Sequence, residues 1–198
     1  MKRLVCIGDS ITDWNRDKSS FDDLGNGYVP IISKALKDVK VFNRGISGNK
    51  TTDLLLRWQE DLIDLKPDVV TILIGINEIW HHYAFGDIVL PEAFKNNYMK
   101  LIEWTKKECP DTEIILMTPF VFDVGVYEPI WQKDLEIEQD MVKEIARHFD
   151  LKCLDMQSIL DSYLSQYQKL DILSDGVHPT QLGFSIIADH LLEVLKQL

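Results

Sequence analysis

A chain of 198 residues with 45% hydrophobic content can bury a sizeable core without disulfide or metal staples. Its 21 Lys and Arg against 32 Asp and Glu give a net charge of -11. Such a surface repels phosphate backbones and anionic lipid, which excludes nucleic acid as a partner and stable membrane association.

The first strand-like run is "RLVCIG" (3–8), and it runs into the turn Gly-Asp-Ser at residues 8–10. A second, "VKVFN" (39–43), leads into "NRGISGN" (43–49). Leu54, Leu55, Trp58, Leu62 and Leu65 then follow a period of 3.6 and predict a helix. The run "DVVTILIG" (68–75) is almost continuously apolar, as expected of a central strand covered on both faces, and "GINE" (75–78) follows it. Further strands are expected at "EIILMT" (113–118) and "LKCLD" (151–155). The segment 120–134, "FVFDVGVYEPIWQKD", reads as an irregular loop beside the functional edge. "SDGVHP" (174–179) precedes a helix marked by Phe184, Ile187, Ala188, Leu191, Leu192 and Leu195, and Pro179 marks the start of that helix.

Alternating strands and helices predict a mostly parallel five-stranded sheet in a three-layer α/β/α sandwich of flavodoxin-like topology, with residues 1–198 as one domain. In such folds ligands bind at the carboxyl ends of the strands. The polar clusters follow strands one, two and three, and the fourth precedes the last helix, so all four can meet at one end.

The residue types gathered there suit acyl transfer. A serine hydroxyl is a weak nucleophile until a base takes its proton, and imidazole is the side chain suited to that task near neutral pH. Ser10 and His178 are the candidates. Asp175 lies three residues before His178, a spacing that brings two side chains to one side of a turn, where the carboxylate can orient the ring. The developing oxyanion needs donors, and the backbone N–H groups of Ser10 and Gly48 and the amide of Asn77 are available. Taken alone, Ser10 reads first as a turn residue; Asp9 reads as a turn former or helix-start residue, and the Asp175–His178 pair reads also as a helix cap.

The blocks "GDS", "SGN", G-x-N and D-x-x-H-P, in that order over almost the whole chain, resemble the SGNH hydrolases, the GDSL esterases and lipases. The resemblance implies an SGNH-hydrolase domain with Ser10 as nucleophile, His178 as base, Asp175 as its orienting acid, and Ser10, Gly48 and Asn77 as oxyanion donors. The stretches "GDSITDWNRD", "LGNGYV", "RWQEDLIDLKPD" and "LMTPF" are similar to small bacterial acetylxylan esterases. That implies an acetylated sugar or xylo-oligosaccharide as substrate. Glu78 departs from the pattern, which has Asp after the block Asn.

Glu78, His81 and His82 in "EIWHHY" raise a metal reading, but adjacent histidines diverge and no third ligand has zinc spacing. No metal and no cofactor is expected. Trp80 and Tyr83 are candidates for stacking on a sugar face or walling the pocket, with core packing as the alternative. Cys6, Cys109 and Cys153 show no C-x-x-C spacing. The apolar start at 4–7 is too short for a signal-peptide core, so a soluble cytoplasmic protein is expected. Related small esterases often assemble, and homo-oligomers are compatible with this chain. Two rival functions are a thioesterase or lysophospholipase acting on longer acyl chains, and a non-catalytic ligand-binding module.

Overall fold

The structure, a computed structural model, describes residues 1–88 and 90–197. Five strands, β1 (Lys2–Gly8), β2 (Val39–Gly45), β3 (Val69–Leu73), β4 (Glu113–Met117) and β5 (Lys152–Leu154), form one parallel sheet in the order β2-β1-β3-β4-β5. This is the flavodoxin-like order. After β1 the chain passes to β2 on one side, then crosses β1 to build β3 on the other. The loops that leave β1 and β3 therefore diverge and open a crevice. Gly8 pairs with Gly45 of β2 and with Leu73 of β3, so the three strands end level and their loops start at one height.

The helices are α1 (Ser10–Asp13), α2 (Tyr28–Ala35), α3 (Thr51–Asp61), α4 (Ile76–Phe85), α5 (Pro91–Glu108), α6 (Trp131–Phe149), α7 (Met156–Ser162), α8 (Lys169–Ile172) and α9 (Gln181–Leu195). Alternation along β1 assigns them to layers. Leu4 and Cys6 join a core with Val29 and Ile32 of α2, Met156 and Leu160 of α7, and Ile187 and Leu191 of α9. Val5 and Ile7 face Leu54 and Trp58 of α3, Leu101 and Ile102 of α5, and Val142 and Ile145 of α6. Each such side chain, fully buried, contributes about 1.5–3 kcal/mol. All five residues of β3 are buried, as its continuous apolar run requires. A third, smaller core of Ile76, Ile79, Val121, Trp131, Leu135 and Val177 lies outside the two layers. It joins the start of α4, the loop after β4, the start of α6 and the loop before α9.

Three boundaries differ from expectation. The leucine-rich series of α3 stops at Asp61, and Ile63–Leu65 forms a separate 3-10 turn closed by Lys66 in the left-handed region. Residues 131–134, expected in a loop, begin α6, because Trp131 and Leu135 bury together one turn apart. Pro179 does not open the last helix: it pairs with Leu173 in an isolated antiparallel bridge, and Thr180 caps α9 by accepting the Gly183 N–H at 3.2 Å. Among the described residues no helix is long and apolar enough to cross a membrane.

Candidate active site

The carboxyl end of β1 delivers Ser10. Asp9 caps α1, its Oδ1 accepting the Ile11 N–H at 3.0 Å, and this sharp start places Ser10 at the first helical position. Ser10 Oγ lies 3.0 Å from His178 Nε2. His178 Nδ1 lies 2.8 Å from Asp175 Oδ2, while Asp175 Oδ1 accepts the backbone N–H groups of Val177 at 3.0 Å and His178 at 2.8 Å. An ionised carboxylate can only accept. Nδ1 therefore carries the ring hydrogen, and Nε2 presents its lone pair to the serine hydroxyl. Burial alone would raise the Asp175 carboxyl, but the His178 ring and the N–H groups of His178 and Val177 outweigh it and hold the group below the usual carboxylate range.

The loop bearing this pair is braced from outside the expected motifs. Ser174 N–H donates to the His178 carbonyl at 2.8 Å, closing the turn on itself. The loop after β4 then clasps it: Phe122 N–H donates to the Gly176 carbonyl and Val126 N–H to the Asp175 carbonyl, each at 2.8 Å. Gly176 has φ +94, and a β-carbon there would stand 2.2 Å from the Val124 carbonyl oxygen. Only glycine permits both this backbone and this approach.

The loop after β2 brings Gly48, with φ +81, to the same end; His81 Cε1 is 3.8 Å from where a β-carbon on it would stand. Asn77 lies in the first turn of α4, after β3, and its Nδ2 donates to the Asn49 carbonyl at 3.1 Å. The amide has a second hydrogen to offer. Sequence reasoning missed Asp13, three residues after Ser10. This buried carboxylate accepts Ser47 N–H at 2.9 Å and Ser47 Oγ at 2.7 Å and pairs with Lys18 at 2.8 Å. It clamps the Gly48 loop to the helix that starts with Ser10. Asn43, in β2, reinforces the same junction: its Nδ2 donates to the Thr12 carbonyl at 2.7 Å and the Leu24 carbonyl at 2.8 Å.

Asp9 is buried, and burial pushes its carboxyl up to about 7 against the opposing pull of the Ile11 N–H and of His178. Its folded value lies above the ordinary 3.8. The associated stability is therefore fully present below the ordinary range and is lost as pH rises through about 7. Asp9→Asn keeps an oxygen for Ile11 and should flatten that loss. Urea unfolding at acid and neutral pH measures it, and an equal loss in both proteins would refute the assignment.

Two indoles flank the imidazole. Trp14 lies 5.6 Å from the His178 ring and Trp80 lies 5.7 Å from it, centroid to centroid. Trp80 also contacts Trp131 at 5.8 Å. Tyr83 turns toward α6, where its hydroxyl donates to Asp134 Oδ2 at 2.7 Å. Glu78 of "EIWHHY" turns away from the histidines and accepts Thr51 N–H at 2.6 Å, whereas His82 Nδ1 donates to the Asp87 carbonyl at 2.6 Å and His81 Nδ1 lies 3.9 Å from Asp87 Oδ2. Among the described residues no three His, Cys, Asp or Glu side chains are grouped to hold a metal.

The GDSL-like lipase/acylhydrolase family model matches residues 6–186. The chain belongs to that family. Like other GDSL esterases it is a carboxylic ester hydrolase. An acetylxylan esterase of Geobacillus stearothermophilus is 34% identical over 94% of this chain and 90% of its own length. A solved structure of that organism's acetyl xylan esterase Axe2, in a W215I form, superposes with a TM-score of 0.86 at 32% identity, covering 97% of this GDSL chain and 93% of its own. A GDSL-like protein from Parabacteroides merdae superposes with a TM-score of 0.92 at 31% identity, over 97% and 94% of the two chains. Solved forms of Axe2 include catalytic mutants in which a serine or an aspartate is replaced by alanine.

Proposed function

We propose that this GDSL esterase removes acetyl groups from short O-acetylated xylo-oligosaccharides through an acetyl-enzyme on Ser10. The observation that carries the reading is the hydrogen-bond chain Ser10–His178–Asp175, whose 3.0 Å link joins Ser10 to His178, 168 positions away in sequence, and whose 2.8 Å link joins His178 to Asp175, three positions before it. The acetyl-xylooligosaccharide esterase activity named for its Geobacillus relative supports the choice of substrate.

In the reaction the Ser10 oxygen attacks the acetyl carbonyl carbon as His178 Nε2 takes the hydroxyl proton. The carbonyl oxygen becomes an oxyanion, received by the N–H groups of Ser10 and Gly48 and by the Asn77 amide. The bond to the sugar oxygen breaks, and that oxygen leaves with the proton from His178. Water then repeats the attack on the acetyl-serine, giving acetate and free enzyme. Asp175 stays ionised throughout and stabilises the imidazolium. Trp80, beside His178, offers an indole face to the departing sugar.

Losing one oxyanion donor typically costs about 10²–10³ in rate. Asn77→Ala should therefore lower kcat by that factor with little change in KM, because the bond is made to charge that develops only in the transition state. A kcat within a few-fold of wild type would remove Asn77 from the oxyanion site. The substrate is tested by measuring acetate released from acetylated xylo-oligosaccharides, simple acetyl sugars, and acetyl and octanoyl aryl esters. Preference for the octanoyl ester, or no release from any acetylated carbohydrate, would overturn the substrate assignment.

A further inference from the structure

Beneath Asn77 lies a pair of acids that the reaction above does not use. Glu78, the next residue of α4, and Glu138 of α6 are both buried, and each has an Oε2 with no hydrogen-bond partner. Both line one cavity of about 240 Å³, together with Ile79, His82, Leu90 and Asp134. Glu78 Oε1 is used: it accepts the Thr51 N–H at 2.6 Å and so ties α4 to the start of α3, directly after the Gly48 loop. Glu138 Oε2 lies against Gly75, the residue that caps α4, 2.9 Å from where a β-carbon would stand.

Two ionised carboxylates, each with its free Oε2 buried beside the same cavity, would leave both oxygens as acceptors without donors, and would repel each other there. A single proton resolves both difficulties, because it turns one orphan acceptor into a donor for the other. We propose that Glu138 is the neutral acid of this pair and donates to Glu78, directly or through one water in the cavity, and that this proton is a positioning element for Asn77. The inference rests on the oxyanion role assigned to Asn77 above.

The surroundings favour Glu138 as the holder of the proton. Glu78 is raised by burial, but the Thr51 N–H pulls it back toward the carboxylate form. Glu138 is raised by burial, and further by the negative charges of Glu78 and, on its own helix, Asp134. Asp134 is engaged by the Tyr83 hydroxyl. From α4 the cavity also meets His82, whose Nδ1 is committed to the Asp87 carbonyl. From the β1 side Asp9 adds negative charge at Glu78, and α5 contributes Tyr98, a neutral hydroxyl held up by burial. No lysine or arginine is among the described residues lining the cavity. Deprotonation at alkaline pH would place two anions side by side, push Glu78 off Thr51 and loosen the turn that aims Asn77.

Glu138→Gln is a fixed copy of the neutral acid. The expected result is that it keeps neutral-pH turnover of p-nitrophenyl acetate and loses a descending alkaline limb that the wild type shows in kcat. Glu138→Leu, which cannot donate, should lose about 10²-fold in kcat with KM little changed. Isotope-edited infrared spectroscopy of the folded wild type should show a protonated carboxylic acid at neutral pH that Glu138→Gln lacks. In Glu78→Gln, where the partner charge is gone, that band should titrate at lower pH. A wild-type spectrum without the band at neutral pH overturns the proposal even if the Glu138 variants do not fold. So does an alkaline limb unchanged in a folded Glu138→Gln. Undiminished kcat in Asn77→Ala would instead sink the oxyanion assignment, leaving the infrared result to stand separately.

Discussion

Replacing Ser10 by alanine is expected to lower turnover of p-nitrophenyl acetate by roughly 10⁴- to 10⁶-fold with the fold intact. The size follows from the covalent route: without the hydroxyl no acetyl-enzyme forms, and only oxyanion stabilisation and binding remain to assist attack by water. Stability should hardly change. The Ser10 hydroxyl bonds to the part-exposed His178 ring, and the net worth of such a bond is about 1 kcal/mol or less. The helix start survives as well, because Asp9, not Ser10, caps it. Steady-state kinetics with a thermal melt on the same preparation check both halves. A fluorophosphonate probe should label the wild type and not the variant. Wild-type turnover by homogeneous Ser10→Ala protein would end the covalent reading.

Asp175→Asn should cost about 10⁴-fold in kcat, again with the fold retained. The two carboxylate oxygens have separate tasks: Oδ1 receives two backbone N–H groups and Oδ2 receives the imidazole. In the amide the oxygen takes over the backbone pair, which needs an acceptor, and the NH₂ is left facing His178 Nδ1. That nitrogen must then accept, which moves the ring hydrogen to Nε2. A protonated Nε2 cannot receive the Ser10 proton. Asp175→Ala should differ in one respect. It also abandons the backbone N–H groups of Val177 and His178, so it should unfold at lower urea, by about 1–3 kcal/mol. Comparing kcat and urea midpoint across the two variants separates catalysis from support. Equal activity in wild type and Asp175→Asn would show that the carboxylate does not set the tautomer.

How legible this was in the sequence differs from element to element. The five strands were readable because each is a short apolar run, and burial on one or both faces is written directly into such runs. The start of α6 was not. Glu128, Pro129 and Ile130 read as loop, and the helix begins at Trp131 only because that indole and Leu135 find a third core shared with Val121 and Val177. Pro179 looked like a helix opener by local rule, yet pairing with Leu173 draws it out of the helix and gives the cap to Thr180. Asp13 sat unnoticed inside "GDSITD", since nothing local says that its partner is Ser47, 34 positions on.

By itself the sequence determined the alternation of strand and helix, the residue types at each strand's end, and the three-residue spacing that seats Asp175 beside His178. These are matters of local periodicity and of a single turn. Only the tertiary structure decided that Ser10 meets His178, that the 120–126 loop braces the histidine, and that Glu138 lies under the start of α4. The reason is physical: those contacts depend on strand order, on crossovers and on which layer each helix joins. Such choices are made by the packing of the whole chain, and no short window of residues encodes them.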